Sequence, residues 1–350
     1  MILTQYPDFA PITRHLRAMY SSRLLLAAVH HLHVFEYLQY GPLPVAELQR
    51  QTGLADRPAS VLFPALCAME LLTRTADDKL ALTAVGQHLT RSASPTITGY
   101  TGLEAGDPGV LDMTDRLRND GPLHSTDGIA YVKEGEGPSP MDDPTLARTL
   151  TLALAGRAKA LSPIVAANLP RHSGHLLDVA GGSGYFTYEW LLVNPEATAT
   201  LFDREAVLTV ADELLTAFSQ SGRPGAETVR ERVTFLPGDM LTDPLPETDL
   251  LLAASLFHDW PDDTCQLLAD RFAGALRSGG ELWVHDAFLN DTLDGPLPVT
   301  DYSAQLFWVT KGRCYSRAEY RKWFRQADLT TPDETIPTQM DYSLIRALKS

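Results

Sequence analysis

Residues 175–203, HLLDVAGGSGYFTYEWLLVNPEATATLFD, constrain the fold more than any other part of the chain. A short apolar run ends near an acid, Asp178, and a glycine-rich turn follows. A helix-compatible stretch then leads to a second apolar run that also ends in an acid, Asp203. This is the order strand, tight turn, helix, strand that brings the backbone up against a nucleotide-like cofactor. Gly181, Gly182 and Gly184 place no Cβ in the way of that approach, and the following helix directs its first N–H groups at the ligand. Asp203 lies 25 residues after Asp178, near the ~20-residue spacing at which an acid grips ribose hydroxyls. A carboxylate that merely ends a strand at the surface has the same spacing, so further acids matter. One follows another apolar run in Leu236-Pro237-Gly238-Asp239-Met240. There Asp239 is suited to accept from an adenine amino group and Met240 to cover the ring face.

Strand and helix patterns alternate through the rest of the C-terminal half: RVTFLPGD, DLLLAASLF, a helix from Asp262, ELWVHDAF and a late strand in DYSLIRALK. Such alternation predicts an α/β fold, a Rossmann-like parallel sheet with helices on both faces. At 350 residues the chain exceeds one typical domain. Residues 1–100, 101–170 and 171–350 separate by pattern. Residues 8–40 are almost free of breakers and predict helices with broad apolar faces. Residues 43–91 predict a helix at 44–53 stopped by Gly53, a second at 57–74 and a hairpin at 75–83, a winged-helix outline. Residues 135–144 form a Gly- and Pro-rich loop. Residues 145–169 form a long helical segment interrupted near Pro163.

A winged helix raises the question of nucleic acid. The second helix carries only Arg57 and Arg74 at its ends with Glu70 between, and the net charge is −15. Base and phosphate recognition needs clustered basic donors, so this module is read as scaffold. Cys67, Cys265 and Cys314 are odd in number and widely spaced, unlike a disulfide framework and consistent with a reducing cytoplasm. The N-terminus lacks a basic start followed by an apolar core, and no apolar run approaches the ~18 residues of a membrane span. The expected location is therefore cytoplasmic, without a membrane partner.

The DVAGGSG run at 178–184, Asp203, Gly238-Asp239-Met240 and Leu256-Phe257-His258-Asp259-Trp260 together resemble the S-adenosylmethionine-dependent small-molecule O-methyltransferases of the caffeic acid and acetylserotonin type, including their bacterial natural-product branch. The resemblance extends over most of the chain. It implies a methyltransferase sheet at 171–350, a helical and winged-helix dimerisation domain at 1–100 that makes a homodimer, and a helical linker at 101–170. It implies S-adenosylmethionine as cofactor, held by Asp178, Gly181, Gly182, Gly184 and Asp203, with Asp239 and Met240 bracketing the adenine. It also implies an acceptor pocket from residues 141–162 together with Tyr302, Phe307 and Trp308.

Methyl transfer from a sulfonium is an in-line displacement that needs alignment and often removal of the acceptor's proton. A histidine suits the second task because its ordinary pKa lies near working pH. His258 follows an apolar strand and matches the family's general base. Asp286 matches one of two carboxylates that flank that base and fix its tautomer, while Cys314 stands in the place of the other. Ala180 replaces a family glycine, a change tolerated if its φ stays negative, and Ala254 replaces a cofactor-contacting lysine of the plant members. Asp259 is expected to cap the helix that begins near Asp262, Trp260 to pack, and His285 to fill the other face of its strand. His258, Asp286 and Cys314 do not have the spacing of a dedicated metal motif. The function implied is methylation of a hydroxyl on a small aromatic or polyketide-like molecule. The alternatives are a carbon or nitrogen acceptor such as an enolisable keto acid, or a cofactor-retaining relative with other chemistry.

Overall fold

Residues 6–121, 139–171 and 174–350 are described by the computed structural model, and they fall into two separately packed units. One comprises the described residues of Met1–Ala10, Tyr131–Ala287 and Ala318–Ser350; the other comprises those of Pro11–Ala130 and Phe288–Arg317. From sequence, 171–350 forms one domain, whereas here residues 288–317 leave the α/β unit for the helical one.

The helical unit contains α1 (Ala10–His30), α2 (Val34–Leu38), β1 (Leu43–Pro44), α3 (Val45–Thr52), α4 (Asp56–Ala68), β2 (Leu72–Arg74), β3 (Lys79–Leu82), α5 (Thr98–Thr101) and α6 (Pro108–Asn119). Gly53 stops α3 in the left-handed region at φ 69°, its N–H returning to the Gln49 carbonyl, as a helix-ending glycine does. The second helix is shorter than its apolar pattern predicts. Glu70 turns left-handed at φ 60°, and Leu72–Arg74 joins a three-stranded antiparallel sheet of order β1-β3-β2 instead. α4 is buried on all sides from Val61 to Cys67. The helix contributed by the later segment, α11 (Leu297–Val309), packs on α4, and its Ala304 and Phe307 complete the same core.

Arg57 holds that packing together. Its guanidinium donates to the Thr310 and Gly312 carbonyls at 3.0 and 3.1 Å, pairs with Asp120 at 2.9 Å and lies 4.6 Å from the Phe307 ring. A cation largely buried in this way is a structural tie.

The α/β unit begins with α7 (Pro144–Asn168), capped by the Asp143 side chain on the Leu146 N–H. The expected interruption at Pro163 does not occur. Proline removes the donor that the carbonyl four residues earlier would receive, and the Ser162 hydroxyl supplies a substitute to that carbonyl, on Lys159, at 3.3 Å. By length and composition α7 is long and apolar enough to cross a membrane, contrary to the expectation from apolar runs. Here it packs against α8 and α9 and buries Ala147, Thr151, Ala155, Leu161 and Val165. Of the loop expected at 135–144, residues 135–138 lie outside the described residues. The remainder forms a 3₁₀ turn at Pro140–Asp142.

Beyond α7 follow β4 (His175–Val179), α8 (Tyr185–Val193), β5 (Thr198–Asp203), α9 (Glu205–Ser219), β6 (Val233–Pro237), β7 (Thr248–Ala254), α10 (Asp262–Ala275) and β8 (Leu276–Asp286). After residues 288–317 come α12 (Arg317–Gln326), β9 (Leu329–Thr330), β10 (Ile336–Pro337) and β11 (Ser343–Lys349). The sheet runs β10-β11-β8-β7-β4-β5-β6, with β9 beside β11. Strands β4 to β8 are parallel, while β11 pairs antiparallel with β8, β9 and β10. The sheet is therefore mixed, where the alternating pattern predicts a parallel one. Its order reverses at β4, which has β5 on one side and β7 on the other. In such sheets ligands bind beyond the carboxyl ends of the strands at this reversal.

Candidate active site

A cleft with about 1020 Å³ of empty space, its open mouth included, lies at that reversal. Its walls come from consecutive strand ends: Ala180, Gly182 and Ser183 after β4, Phe202 and Asp203 of β5, Gly238, Asp239 and Met240 after β6, and Ser255 and Leu256 after β7. Leu150, Thr151 and Leu154 of α7 and Ser139 and Met141 of the preceding turn close the other side.

Four of the residues expected at the cofactor, Gly182, Asp203, Asp239 and Met240, line this cleft. The other three, Asp178, Gly181 and Gly184, lie behind the turn and shape it. Asp178 is fully buried and accepts from the Thr187 hydroxyl at 2.7 Å. A Cβ on Gly181 would sit 2.2 Å from Leu201 and 2.9 Å from the Asp178 carboxyl carbon, so only glycine lets the turn rest on that acid. At Gly184, φ is +77° and a Cβ would strike the Tyr188 ring. Ala180 departs from expectation. Its φ is +55°, the left-handed region that an L side chain occupies at a cost of ~1–2 kcal/mol.

Burial is the main influence on both inner acids. It pushes Asp203 up to about 6 against the Gly182 and Arg204 N–H groups and the Arg204 charge, which favour ionisation. It pushes Asp178 up to about 7, opposed by the Thr187 hydrogen bond and reinforced by the Asp203 charge. Asp203 accepts from the Gly182 N–H at 2.8 Å and the Arg204 N–H at 2.7 Å. One carboxylate therefore fastens the glycine turn to the end of β5.

His258 lies in a 3₁₀ turn, Phe257–Asp259, just beyond β7. It is buried, with its Nδ1 2.5 Å from Asp286 Oδ1 at the end of β8. The other Asp286 oxygen accepts from the Tyr320 hydroxyl of α12 at 3.0 Å, a partner that sequence spacing gives no sign of. Asp259 does not cap α10, whose N-cap position is Pro261. Instead its Oδ1 lies 3.7 Å from His258 Nε2, and with Trp260 it lines the cleft. Burial alone would lower the His258 pKa, but the charges of Asp286 and Asp259 and the Asp286 hydrogen bond outweigh it and raise the pKa above the ordinary value. His285 is pushed down to about 3 by burial; it stacks on Tyr342 and bonds the Thr338 hydroxyl at 2.9 Å, as a neutral filler.

Cys314, expected in place of a second carboxylate, is a buried thiol of the helical unit whose N–H donates to Ser303 Oγ at 3.1 Å. Tyr302, Phe307 and Trp308 also belong to that unit. Phe307 and Trp308 pack in its core, and Tyr302 lies under the Arg17 guanidinium at 4.0 Å. Among the described residues no group of three or more His, Cys, Asp or Glu side chains gathers as metal ligands would.

A mixed sheet of this order, with a glycine turn and acidic strand ends at its reversal, defines an α/β methyltransferase. The family model described as an O-methyltransferase domain matches residues 163–329. The crystal structure of an O-methyltransferase family 2 protein from Planctomyces limnophilus in complex with apigenin is 36% identical, covers 99% of this chain and 98% of its own, and superposes with a TM-score of 0.85. The 3-hydroxy-5-methyl-1-naphthoate 3-O-methyltransferase of Streptomyces sahachiroi is 27% identical, over 88% of this chain and 86% of that protein. Human N-acetylserotonin methyltransferase, solved in complex with S-adenosylmethionine, shares the fold at 22% identity, with a TM-score of 0.55 over 99% of both chains. The chain belongs to the O-methyltransferase family, whose members use S-adenosylmethionine as methyl donor.

Proposed function

We propose that this enzyme methylates a ring hydroxyl of a small aromatic or polyketide-like acceptor, with His258 as the base that takes the hydroxyl proton. The observation that carries this reading is the buried His258–Asp286 pair at 2.5 Å, beside the cleft-lining Asp259. Asp286 accepts from Nδ1–H, which leaves Nε2 as the basic nitrogen. Once that nitrogen is protonated, Asp286 and Asp259 both stabilise the imidazolium. Two relatives support the acceptor class: the naphthoate enzyme acts on an aromatic hydroxyl by its name, and the Planctomyces protein was solved with apigenin.

The cleft suits the donor chemically. Gly182, at φ +56° with open space where a Cβ would stand, exposes its backbone to the cleft. Asp203 would hold the ribose hydroxyls, while Asp239 and Met240 would hold the adenine. Bound there, S-adenosylmethionine supplies an electrophilic methyl group on a sulfonium. Leu150, Thr151 and Leu154 would shield the acceptor side from water.

The helical unit is proposed as a winged-helix scaffold that makes a homodimer. Its order of α3, α4 and a three-stranded antiparallel sheet supports the first part. Ile12, Leu16 and Met19, exposed at helical spacing on α1, support the second. A cytoplasmic location fits the three cysteines, all buried thiols.

The test is methyl transfer from labelled S-adenosylmethionine to hydroxynaphthoic acid, comparing wild type with His258→Ala. Loss of ~10²–10⁴-fold in kcat is expected for a missing general base, with donor affinity kept. Activity close to wild type would sink the assignment.

A further inference from the structure

The Arg204 side chain is not among the groups assigned to the donor or the acceptor, yet it stands on the cleft wall next to Asp203. Its Nε and Nη2 donate to the two oxygens of Asp142 at 2.7 and 2.8 Å, and its Nη1 lies 3.3 Å from Asp239 Oδ2. A fork-to-fork pair of this kind fixes direction as well as distance. Asp142 in turn closes a locked 3₁₀ turn. Ser139 Oγ accepts from the Met141 N–H, and Asp142 Oδ2 accepts from the Ser139 N–H. Ser139 and Met141 line the same cleft as Asp239. One guanidinium therefore joins the turn on one side of the cleft to the acid beyond β6 on the other.

We propose that Arg204 is a positioning residue for the cofactor, tying the turn at residues 139–143 to Asp239 across the end of the cleft where Asp203 stands. The inference rests on the cofactor reading of that cleft. A plain surface ion pair would contribute little, but here the contact with Asp142, 37% exposed, is bidentate, and the single contact on the other side goes to Asp239, 15% exposed and itself assigned to the adenine. The charged groups around Asp203 are Arg204 beside it, Asp178 behind the turn, and Asp239 and Asp142, both paired with Arg204. Arg204 is thus a cation paired with Asp142 and Asp239 whose charge also acts on Asp203. Its charge opposes the burial that pushes Asp203 up to about 6, and ionised Asp203 offers both oxygens as acceptors, whereas the protonated acid turns one of them into a donor.

The experiment is calorimetric titration with S-adenosylhomocysteine from pH 6 to 8.5, on wild type, Arg204→Ala, Arg204→Lys, Asp142→Asn and the Arg204→Ala/Asp142→Asn double variant. Arg204→Ala is expected to weaken binding by ~5–30-fold near neutral pH, as for a partly exposed charged pair. The deficit should grow as pH falls, because Asp203 without its neighbouring cation protonates at higher pH. Arg204→Lys keeps the charge and loses the fork, so it should restore the pH profile and only part of the affinity. Asp142→Asn should also weaken binding, and the double variant should lose less than the product of the two single losses, since both break one contact. Arg204→Ala binding as wild type throughout, or a loss equal at every pH and unrelieved by lysine, would overturn the inference. A wild type that fails to bind S-adenosylhomocysteine would instead overturn the cofactor reading on which it rests.

Discussion

Two carboxylates act on His258 from opposite sides of its ring, and the balance sets the pH at which it can work. Asp286 holds Nδ1, Asp259 approaches Nε2, and their combined charge raises the pKa above its ordinary value although burial acts against it. A base must be unprotonated to accept a proton. The rate kcat/KM should therefore rise with pH through a pKa above the ~6.5 of an ordinary histidine and then level off. Asp286→Asn removes one of the charges, so the rise should move to lower pH while the plateau falls. A pH profile in which the variant's limb stays in place would contradict the coupling. That Asp203 and Asp239 line the cleft was legible in the sequence because an acid at a strand end marks its own position, and Met240 was legible as the neighbour of Asp239. Arg204 was not: its local sequence shows a cation after an acid, while its partner Asp142 lies 62 residues away. The sign of φ at Ala180 was equally hidden, because a turn sequence with three glycines allows either hand.

At the scale of elements, apolar pattern located six of the eight described strands of the α/β unit, missing the two-residue β9 and β10, and it erred where a single residue decides a boundary. Pattern continued α4 to Arg74, but a left-handed Glu70 ends the run and hands Leu72 to a strand. Pro163 suggested a break that does not occur, the Ser162 hydroxyl donating to the Lys159 carbonyl in place of the missing N–H. The joint between α4 and α11 is the most exposed to test. Arg57→Ala would leave the Thr310 and Gly312 carbonyls and Asp120 without this donor and remove the cation above Phe307. Losing three hydrogen bonds of a largely buried guanidinium at once costs ~2–4 kcal/mol, and thermal denaturation should show the transition several degrees lower. S-adenosylhomocysteine affinity at pH 7, read in the same preparation, should stay as in wild type. An unchanged melting temperature would show that the joint is held by apolar packing alone.

Across the whole molecule, the chain crosses from one unit to the other and back, which no local pattern announces. Residues 288–317 read as part of the α/β alternation, yet their apolar face completes the core of the helical unit. The antiparallel direction of β11 escapes prediction for a similar reason, since pattern gives a strand's existence and not its direction. The exposed apolar face of α1 belongs to this scale as well. Leu16→Lys is expected to shift a dimeric wild type toward monomer in sedimentation velocity; a monomeric wild type would remove the homodimer from the account. The central claim is that the cleft at the strand-order reversal holds the methyl donor through Asp203. It is tested most directly by calorimetric titration of wild type and Asp203→Ala with S-adenosylhomocysteine at neutral pH. One site per chain of micromolar or tighter affinity, weakened at least ~10-fold by the loss of a charged hydrogen-bond acceptor, is the predicted result. Binding of the same strength in Asp203→Ala would place the cofactor elsewhere and contradict the account.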